Sequence, residues 1–225
     1  MNVKLVSITK PLIAEKELSA EELIAYMARV SNPSNQLNTD TADKLLGYMI
    51  KHKHWSPFDM VNMTVEVTTS KAVGIQILRH WSIKPQEFSQ RYAEVVDIEP
   101  IELRKTGSTN RQSSEEVFNP MVKHPFQEIM VPASQLVEML VELSARTYKE
   151  LLIAGVAKEC ARMILPMATS TTMYLNGSVR SWIHYMEQRC DVHAQLEHRD
   201  VANEIKKLFM ANFPNISKAL ELTNA

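Results

Sequence analysis

The segment from Arg79 to Arg91 holds more chemically active side chains than any other stretch of this sequence. It reads R-H-W-S-I-K-P-Q-E-F-S-Q-R and combines guanidinium, imidazole, ammonium, carboxylate and hydroxyl groups. The guanidinium of arginine presents a planar fork of donors that matches the edge of a phosphate or a carboxylate. The types and spacing of Arg79 and Arg91 therefore indicate a pair of anion clamps.

Three aromatic residues accompany these charges: Trp81, Phe88 and Tyr92. Their flat rings offer surfaces on which a nucleobase or an isoalloxazine ring stacks. Basic and aromatic side chains together indicate a nucleotide ligand. The alternative is a solvated basic loop whose aromatic residues are tucked into the core, and composition alone does not separate these two interpretations.

The elements around this segment have to place its charged ends within reach of a ligand. Ser70 is a helix N-cap, and the apolar run over residues 72–78 predicts a helix that gives way to a loop at Arg79 and His80. Pro85 prevents a simple continuation of that helix. We therefore expect free backbone groups next to Arg79.

Alternating apolar and polar residues from Met60 to Thr69 predict a strand with one wet face, which favours an antiparallel sheet. Asn176 and Gly177 form a turn signal, and Ser178 begins a helix that carries Arg180, Trp182, His184 and Arg189. Strands and helices are mixed along the chain without a βαβ repeat. The predicted fold class is α+β, with an antiparallel or mixed sheet packed against several helices.

Two further stretches affect the organisation of the chain. A long helix is predicted from Pro132 to Ala154. Its predicted core stripe consists of Leu136, Met139, Leu140, Leu143 and Tyr148. Residues Thr106 to Ser114 have the composition of a mobile loop, for which an ordinary surface loop is the simpler interpretation and a lid over a site the alternative.

Composition narrows the class of protein. The chain has 225 residues and a formal net charge of -1, so attraction for anions has to come from local clusters, and polymeric nucleic acid is disfavoured as a partner. It shows no linker, no secretory signal and no long apolar span, which predicts a single domain over residues 1–225 and no contact with a membrane. The predicted location is the cytoplasm, or the host cytoplasm if the protein is encoded by a virus. Its few glycines form neither G-x-G-x-x-G nor a P-loop.

Cysteine and metal chemistry are weaker candidates. Cys190 follows Arg189, which would lower the pKa of a nucleophilic thiol, yet a lone cysteine in a helix is usually a small apolar residue. His193 and Glu197 lie four apart, close enough on a helix to chelate, but a third ligand with recognisable spacing is missing. We therefore expect no metal.

The segment from Arg79 to Arg91 resembles the signature of the flavin-dependent thymidylate synthases (ThyX), R-H-R-x-x-S-x-N-x-x-S-x-R. Arg79, His80, Ser89 and Arg91 fall on four of its seven fixed positions, whereas Trp81, Lys84 and Gln86 depart from it. Four flanking stretches are similar to the family in order and spacing: A-R-V-S (28–31), H-x-S-P-F (54–58), A-R-x-x-L-P (161–166) and R-x-D-x-H-A-Q (189–195). The resemblance covers most of the chain.

The resemblance implies a substrate site and a cofactor site. The residues that it implies for binding dUMP are Gln76, Ile77, Leu78, Arg79, Glu87, Phe88, Ser89, Gln90, Arg91, Arg162 and Arg189. The residues that it implies for binding FAD are His54, Ser56, Arg79, His80, Trp81, Glu87, Ser178, Val179, Arg180 and His184. It also implies that Arg189 is the catalytic residue, because a permanent cation at the N3/O4 edge of uracil makes C5 nucleophilic without a protein thiolate.

The resemblance further implies the reaction and the assembly. The reaction is the conversion of dUMP to dTMP with methylenetetrahydrofolate as the carbon donor and NADPH as the reductant of FAD. The resemblance also implies a homotetramer in which several subunits contribute residues to each site. Two other interpretations stay open: a nucleotide- or flavin-binding protein made inactive by Trp81, Lys84 and Gln86, and an RNA-binding or interaction module, which the near-neutral charge disfavours.

Overall fold

The computed structural model describes residues 1–94, 97–108 and 114–223. Its strands are β1 (Asn2–Ile8), β2 (Asn62–Ser70), β3 (Lys84–Glu87), β4 (Arg104–Thr106), β5 (Ser114–Val117), β6 (Met121–Lys123), β7 (Met130–Pro132) and β8 (Ser170–Ser178). Its α-helices are α1 (Ala20–Ala28), α2 (Ala42–Lys51), α3 (Lys71–Ile77), α4 (Ala133–Ile153), α5 (Lys158–Ala161), α6 (Val179–Arg189), α7 (Leu196–Asn212) and α8 (Pro214–Ala219). Short 3₁₀ helices lie at Pro33–Asn35, Ser56–Asp59 and Arg162–Ile164.

The chain forms two compact units. Unit one consists of Met1, Thr68–Gln76 and Glu87–Thr172, and unit two consists of Asn2–Val67, Ile77–Gln86 and Met173–Ala225. The prediction of a single domain over residues 1–225 stays a prediction. Residues 109–113 of the predicted surface loop lie outside the described residues.

A four-stranded sheet has the order β1-β2-β8-β3, and most of its residues belong to unit two. The amide of Val179 donates to the carbonyl of Val61 at 2.8 Å, and the side-chain amide of Asn176 donates to the Thr64 hydroxyl at 2.8 Å. Because the partner number falls as β2 advances, β2 and β8 run antiparallel. Alternate residues of β2 are buried, so the predicted strand with one wet face is confirmed.

Helices of unit two pack on one another and on the edge of the sheet. Contacts join α1 with α2, α2 with α8, α6 with α7, and α7 with β1. Helix α1 begins with a capping box, in which the Ser19 hydroxyl accepts from the amide of Glu22 while the Glu22 carboxylate accepts from the amide of Ser19. Ser178 caps α6 in the predicted position, with its hydroxyl accepting from the amide of Ser181 at 3.2 Å.

The predicted turn at Asn176 and Gly177 is wrong, because both residues lie inside β8. A Cβ atom on Gly177 would meet Trp182 Nε1 at 3.2 Å and Ile83 Cγ1 at 3.3 Å. Glycine is therefore required here because side chains approach the strand closely. Glycine is also typical of turns, so the sequence alone does not distinguish the two roles.

Helix α4 of unit one has the predicted position, but the predicted core stripe is wrong. Of its five members only Tyr148 is buried within the described residues, whereas Leu140 and Leu143 are 62% and 59% exposed. Helical periodicity identifies an apolar face and does not tell what covers it. No helix of the described ranges is long and apolar enough to cross a membrane.

Candidate functional site

The loop after α3 in unit two carries the first part of the predicted site. Helix α3 ends at Ile77, and turns follow in which the amide of His80 donates to the carbonyl of Ile77 at 3.0 Å and the amide of Ile83 donates to that of His80 at 2.9 Å. Arg79 points to solvent while His80 is buried. The prediction that the helix gives way to a loop at these two residues is confirmed.

His80 and Arg189 form a direct contact within unit two. The Nε of Arg189 donates a hydrogen bond to Nε2 of His80 at 2.8 Å. Since a guanidinium has no acceptor, the lone pair of His80 must lie on Nε2 and its proton on Nδ1. Burial, reinforced by the charge of Arg189 and by His184, lowers the pKa of His80 to about 4. His80 is therefore neutral near pH 7.

A buried array continues behind His80. The edge of the His80 ring packs on Tyr185 with ring centroids 4.9 Å apart, and the Tyr185 hydroxyl is hydrogen-bonded to Nε2 of His198 at 3.1 Å. Burial raises the pKa of Tyr185 well above its usual value. Burial, followed by the charge of Arg189 and the neighbouring His80, lowers the pKa of His198 to about 3. Tyr185 of α6 thus contacts two neutral histidines, His80 of the loop after α3 and His198 of α7.

These histidines predict an acid-dependent loss of stability. The pKa of a histidine is about 6.5 in the unfolded chain, whereas His80 and His198 have pKa values of about 4 and about 3 in the folded one. As the pH falls below about 6.5, the unfolded chain binds protons that the folded chain excludes, so the free energy of unfolding is expected to decrease. The midpoints of urea unfolding at pH 7, 6 and 5 measure how the free energy of unfolding depends on pH.

The variant His80→Gln serves as the control for that measurement, because glutamine keeps an acceptor near the position of Nε2 and does not titrate. Its pH slope should be shallower than that of the wild type. Comparing the two proteins cancels groups such as Glu21, whose pKa is raised by burial and which acts in the opposite sense. Equal slopes would show that His80 is not kept neutral by the fold.

A cleft in unit two has a volume of about 490 Å³. Three of its lining residues belong to the predicted FAD set: Trp81, Arg180 and His184. Six others were missed by the sequence reasoning: Trp55, Asp59, Ser82, Ser181, Ile183 and Glu187. We call this site the tryptophan cleft. The loop after α3, the 3₁₀ helix at Ser56–Asp59 and the exposed face of α6 form its walls.

Asp59 organises one side of the tryptophan cleft. Its carboxylate accepts from the Ser178 hydroxyl at 2.8 Å and from the Arg180 guanidinium at 3.0 Å. These bonds orient the first turn of α6, where Ser178 and Arg180 were predicted to bind a ligand. Asp59 directly follows the H-x-S-P-F stretch, and that position in the sequence is the signal that could have identified it.

The remaining predicted FAD residues of unit two have varied positions. Val179 is fully buried and pairs with Val61 through its backbone. Ser56 begins the 3₁₀ helix and is exposed. His54 is also exposed, with its ring centroid 5.9 Å from that of Tyr48. His54 and Ser56 flank Trp55, which lines the tryptophan cleft.

The predicted dUMP residues are divided between the two units. Gln76, Glu87, Phe88, Ser89, Gln90, Arg91 and Arg162 belong to unit one. Ile77, Leu78, Arg79 and Arg189 belong to unit two. Ile77 is buried, while Leu78 and Arg79 are exposed.

In unit one, Glu87 and Arg91 have charged partners. The Glu87 carboxylate accepts from Lys71 at 2.6 Å and from the Thr171 hydroxyl at 2.9 Å. Arg91 pairs with Glu159 at 3.0 Å, and both side chains are exposed. An exposed pair of this kind contributes little to stability, so a ligand phosphate can replace the carboxylate at small cost.

Other predicted residues of unit one surround Arg91 in the sequence. The carbonyl of Ser89 accepts from the amides of Tyr92 and Ala93 at 3.0 Å, which closes a turn whose Ser89 side chain is exposed. Gln90 is buried, and Arg162 begins a 3₁₀ helix in a half-buried position. A smaller cleft of about 200 Å³ joins Phe88 to a row of hydroxyl residues from β2 and β8. These residues are Thr68, Ser170, Thr171 and Thr172.

The described residues hold no group of three or more histidine, cysteine, aspartate or glutamate side chains that could hold a metal ion. The two units and their side chains define an α+β protein that presents arginine, histidine and tryptophan at clefts of ligand size. Comparison with known proteins identifies the family within this class.

Residues 12–215 match the profile of Thy1, described as thymidylate synthase complementing protein. The chain is 47% identical over 222 residues to a probable flavin-dependent thymidylate synthase of Paramecium bursaria Chlorella virus 1, covering 98% of this chain and 99% of that protein. It is likewise 47% identical over 223 residues to a flavin-dependent thymidylate synthase of Synechocystis, covering 98% and 100%. The chain therefore belongs to the Thy1 family of flavin-dependent thymidylate synthases, and the predicted family is confirmed.

A solved structure bears on the fold. The UMP/dUMP methylase PolB from Streptomyces cacaoi, bound with 5-Br dUMP, superimposes with a TM-score of 0.75 at 22% identity. The match covers 99% of this chain and 95% of that one. The predicted α+β fold class is confirmed.

Proposed function

We propose that this enzyme converts dUMP to dTMP, with methylenetetrahydrofolate as the carbon donor and NADPH as the reductant of bound FAD. The observation that carries the proposal is the full-length similarity, at 47% identity, to flavin-dependent thymidylate synthases. A domain match alone would be weaker support, because one fold hosts many functions. Here the similarity extends over 98% of the chain.

The residues of the tryptophan cleft fit a flavin dinucleotide. Its volume of about 490 Å³ lies in the range of pockets that hold small-molecule cofactors, about 300–1,000 Å³. Trp55 and Trp81 provide ring surfaces for stacking, and Arg180 provides a guanidinium at the first turn of α6. Bound FAD, once reduced, supplies the hydride for the reaction. His184 and Ser178 complete the proposed cofactor site.

The substrate residues act by binding and by polarising the base. Arg91 and Arg162 are proposed to hold the phosphate of dUMP, with the backbone around Glu87 to Gln90 completing the pocket. Arg189 is proposed to contact the N3/O4 edge of uracil, where its permanent charge stabilises the anionic ring and raises electron density at C5. No protein thiolate is required. Burial raises the pKa of the Cys190 thiol, which is the opposite of what an attacking cysteine needs.

Trp81 takes the place of an arginine of the family signature, and Lys84 takes the place of a serine. The ammonium of Lys84 donates to the carbonyl of Trp81 at 2.8 Å and lies 5.8 Å from the centroid of its ring. Trp81 itself is 83% exposed. An exposed tryptophan with a cation over its ring is suited to stack on a flavin or adenine ring while Lys84 meets a phosphate.

Trp81→Ala is therefore expected to weaken FAD binding by roughly 10- to 100-fold, because stacking on an aromatic side chain is worth about 1–3 kcal/mol. Trp81→Phe should retain most of the affinity. Titration of the apoprotein with FAD, followed by flavin fluorescence, measures both. Phe126→Ala is the matched control, because Phe126 is an equally exposed aromatic residue of unit one outside the tryptophan cleft. Wild-type affinity in Trp81→Ala would exclude stacking on this residue.

We also propose that the protein assembles into a homotetramer in the cytoplasm. The support for self-association is the apolar face of α4, where Met139, Leu140 and Leu143 are exposed in the single chain. A repeated apolar stripe of this kind is commonly covered in an oligomer. Sedimentation velocity measures the assembly, and a monomer at micromolar concentration would contradict the proposal.

The test of the reaction is dTMP formation from dUMP by the purified protein at low oxygen, with methylenetetrahydrofolate and NADPH, with and without FAD. Product that requires both NADPH and FAD is the expected result. No product from a protein that still binds FAD and dUMP would identify an inactive binding protein on this scaffold. Trp81→Arg, which restores the signature residue, would then test whether Trp81 is the cause.

A further inference from the structure

The contacts of His80 differ from those expected of a residue that touches the cofactor. Its side chain is buried, with 8% of the residue exposed. Its Nε2 atom already accepts a hydrogen bond from Arg189, at a sequence separation of 109 residues. His80 also does not line the tryptophan cleft. Of its two ring nitrogens, Nε2 is thus directed at Arg189.

The atom of Arg189 that donates this bond is informative. Nε is the donor nearest the side-chain stem, so the bond to His80 leaves both terminal amino groups of the guanidinium available. Within the described part of the chain, those two groups have no hydrogen-bond partner in the protein. A guanidinium held at Nε has a fixed plane and presents its outer fork to a ligand.

We propose that His80 is a positioning residue that holds Arg189 by its Nε and aims the fork of the guanidinium at the substrate base. This inference rests on the role proposed for Arg189 in the reaction. It assigns to His80 a function distinct from contact with FAD.

The surroundings of His80 make it a rigid support. Its backbone is fixed on both sides by the bonds to Ile77 and Ile83, and its ring packs edge-on against Tyr185. Tyr185 is fully buried and is held in turn by His198 of α7. Positioning by a rigid neighbour limits the loss of side-chain freedom when the substrate binds. The neutral state of His80 is required, because a protonated ring would present a donor to Arg189 and repel its charge.

Two amide variants separate the positioning role from simple polarity. In His80→Gln the side-chain amide reaches the place of Nε2 and can accept from Arg189, whereas the shorter amide of His80→Asn ends near the place of Nδ1 and cannot. We expect His80→Asn to lower kcat by about 100-fold with FAD affinity unchanged, since a misplacement of about 1 Å has an effect of this size. His80→Gln should recover most of that loss. His124→Asn, in the loop between β6 and β7, is the control.

Three outcomes overturn the inference. The first is a wild-type kcat in His80→Asn while Arg189→Ala is inactive. The second is an equal loss of kcat in both amide variants together with loss of FAD, which would make His80 a cofactor ligand. The third is independent of any variant: ¹⁵N shifts of the wild-type His80 ring that show a proton on Nε2. If Arg189→Ala itself retained full activity, the role proposed for Arg189 would fail instead.

Discussion

Arg189→Ala is expected to lower kcat for dTMP formation by about 10²- to 10³-fold, while the protein stays folded and still binds FAD. The reason is that a charge placed where the anionic uracil develops acts mainly in the transition state, and removing one such group costs about 2.7–4 kcal/mol. Arg189→Lys keeps the charge but loses the planar fork and the Nε–H group that donates a hydrogen bond to His80. Its kcat should lie between those of the wild type and the alanine variant.

Single-turnover rates with FAD-loaded protein and saturating dUMP measure this effect without the complication of substrate affinity. Arg146→Ala is the matched control, because Arg146 is an exposed arginine of α4 that pairs with Glu142 on the same helix. It should leave the rate unchanged. A folded Arg189→Ala protein with the wild-type rate would show that the uracil ring is activated by another group.

Trp182→Ala is expected to reduce the free energy of unfolding by about 3–5 kcal/mol, the usual cost of removing a large aromatic side chain from a core. Trp182 is fully buried, its Nε1 donates to the carbonyl of Met63 at 2.9 Å, and its ring packs on Tyr185 with centroids 5.6 Å apart. Its loss would leave a cavity between α6 and β2 and remove the hydrogen bond to the Met63 carbonyl. Tyr185 supports His80, so the effect should reach the site.

Urea unfolding followed by far-ultraviolet circular dichroism measures the change in stability. Trp81→Ala is the control, since Trp81 is 83% exposed and its removal should change stability by less than about 0.5 kcal/mol. Equal unfolding midpoints for Trp182→Ala and the wild type would mean that the contact between α6 and β2 is not part of the core. A loss confined to Trp182→Ala confirms its structural role.

Both large effects depend on helix α6, whose start was predictable from sequence. Ser178 signals an N-cap by its residue type, and the structure has its hydroxyl bonded to the amide of Ser181. The capping box at Ser19 and the alternation along β2 were predictable for the same reason. Caps and periodicities are properties of neighbouring residues, so they can be identified without knowing how the chain packs.

The same local signals were insufficient where packing decides. Gly177 had the sequence signal of a turn, but its role is to make room for Trp182 and Ile83 inside β8. The periodicity of α4 correctly located a helix with an apolar face, yet Leu140 and Leu143 of that face remain exposed. In both cases the sequence showed that a glycine or an apolar face was present, and it did not show which contact explains it.

By itself, the sequence determined the family, the α+β class and the residue types of the site. Signature spacings, caps and alternation involve residues that are close together in the sequence, so they can be recognised without the tertiary structure. Only the tertiary structure decided that His80 faces Arg189 across 109 residues of chain and that Trp55 and Asp59 line a cleft with Arg180. Contacts of that kind depend on how α6 packs against distant segments. Burial and charge at the contact then set the neutral state of His80.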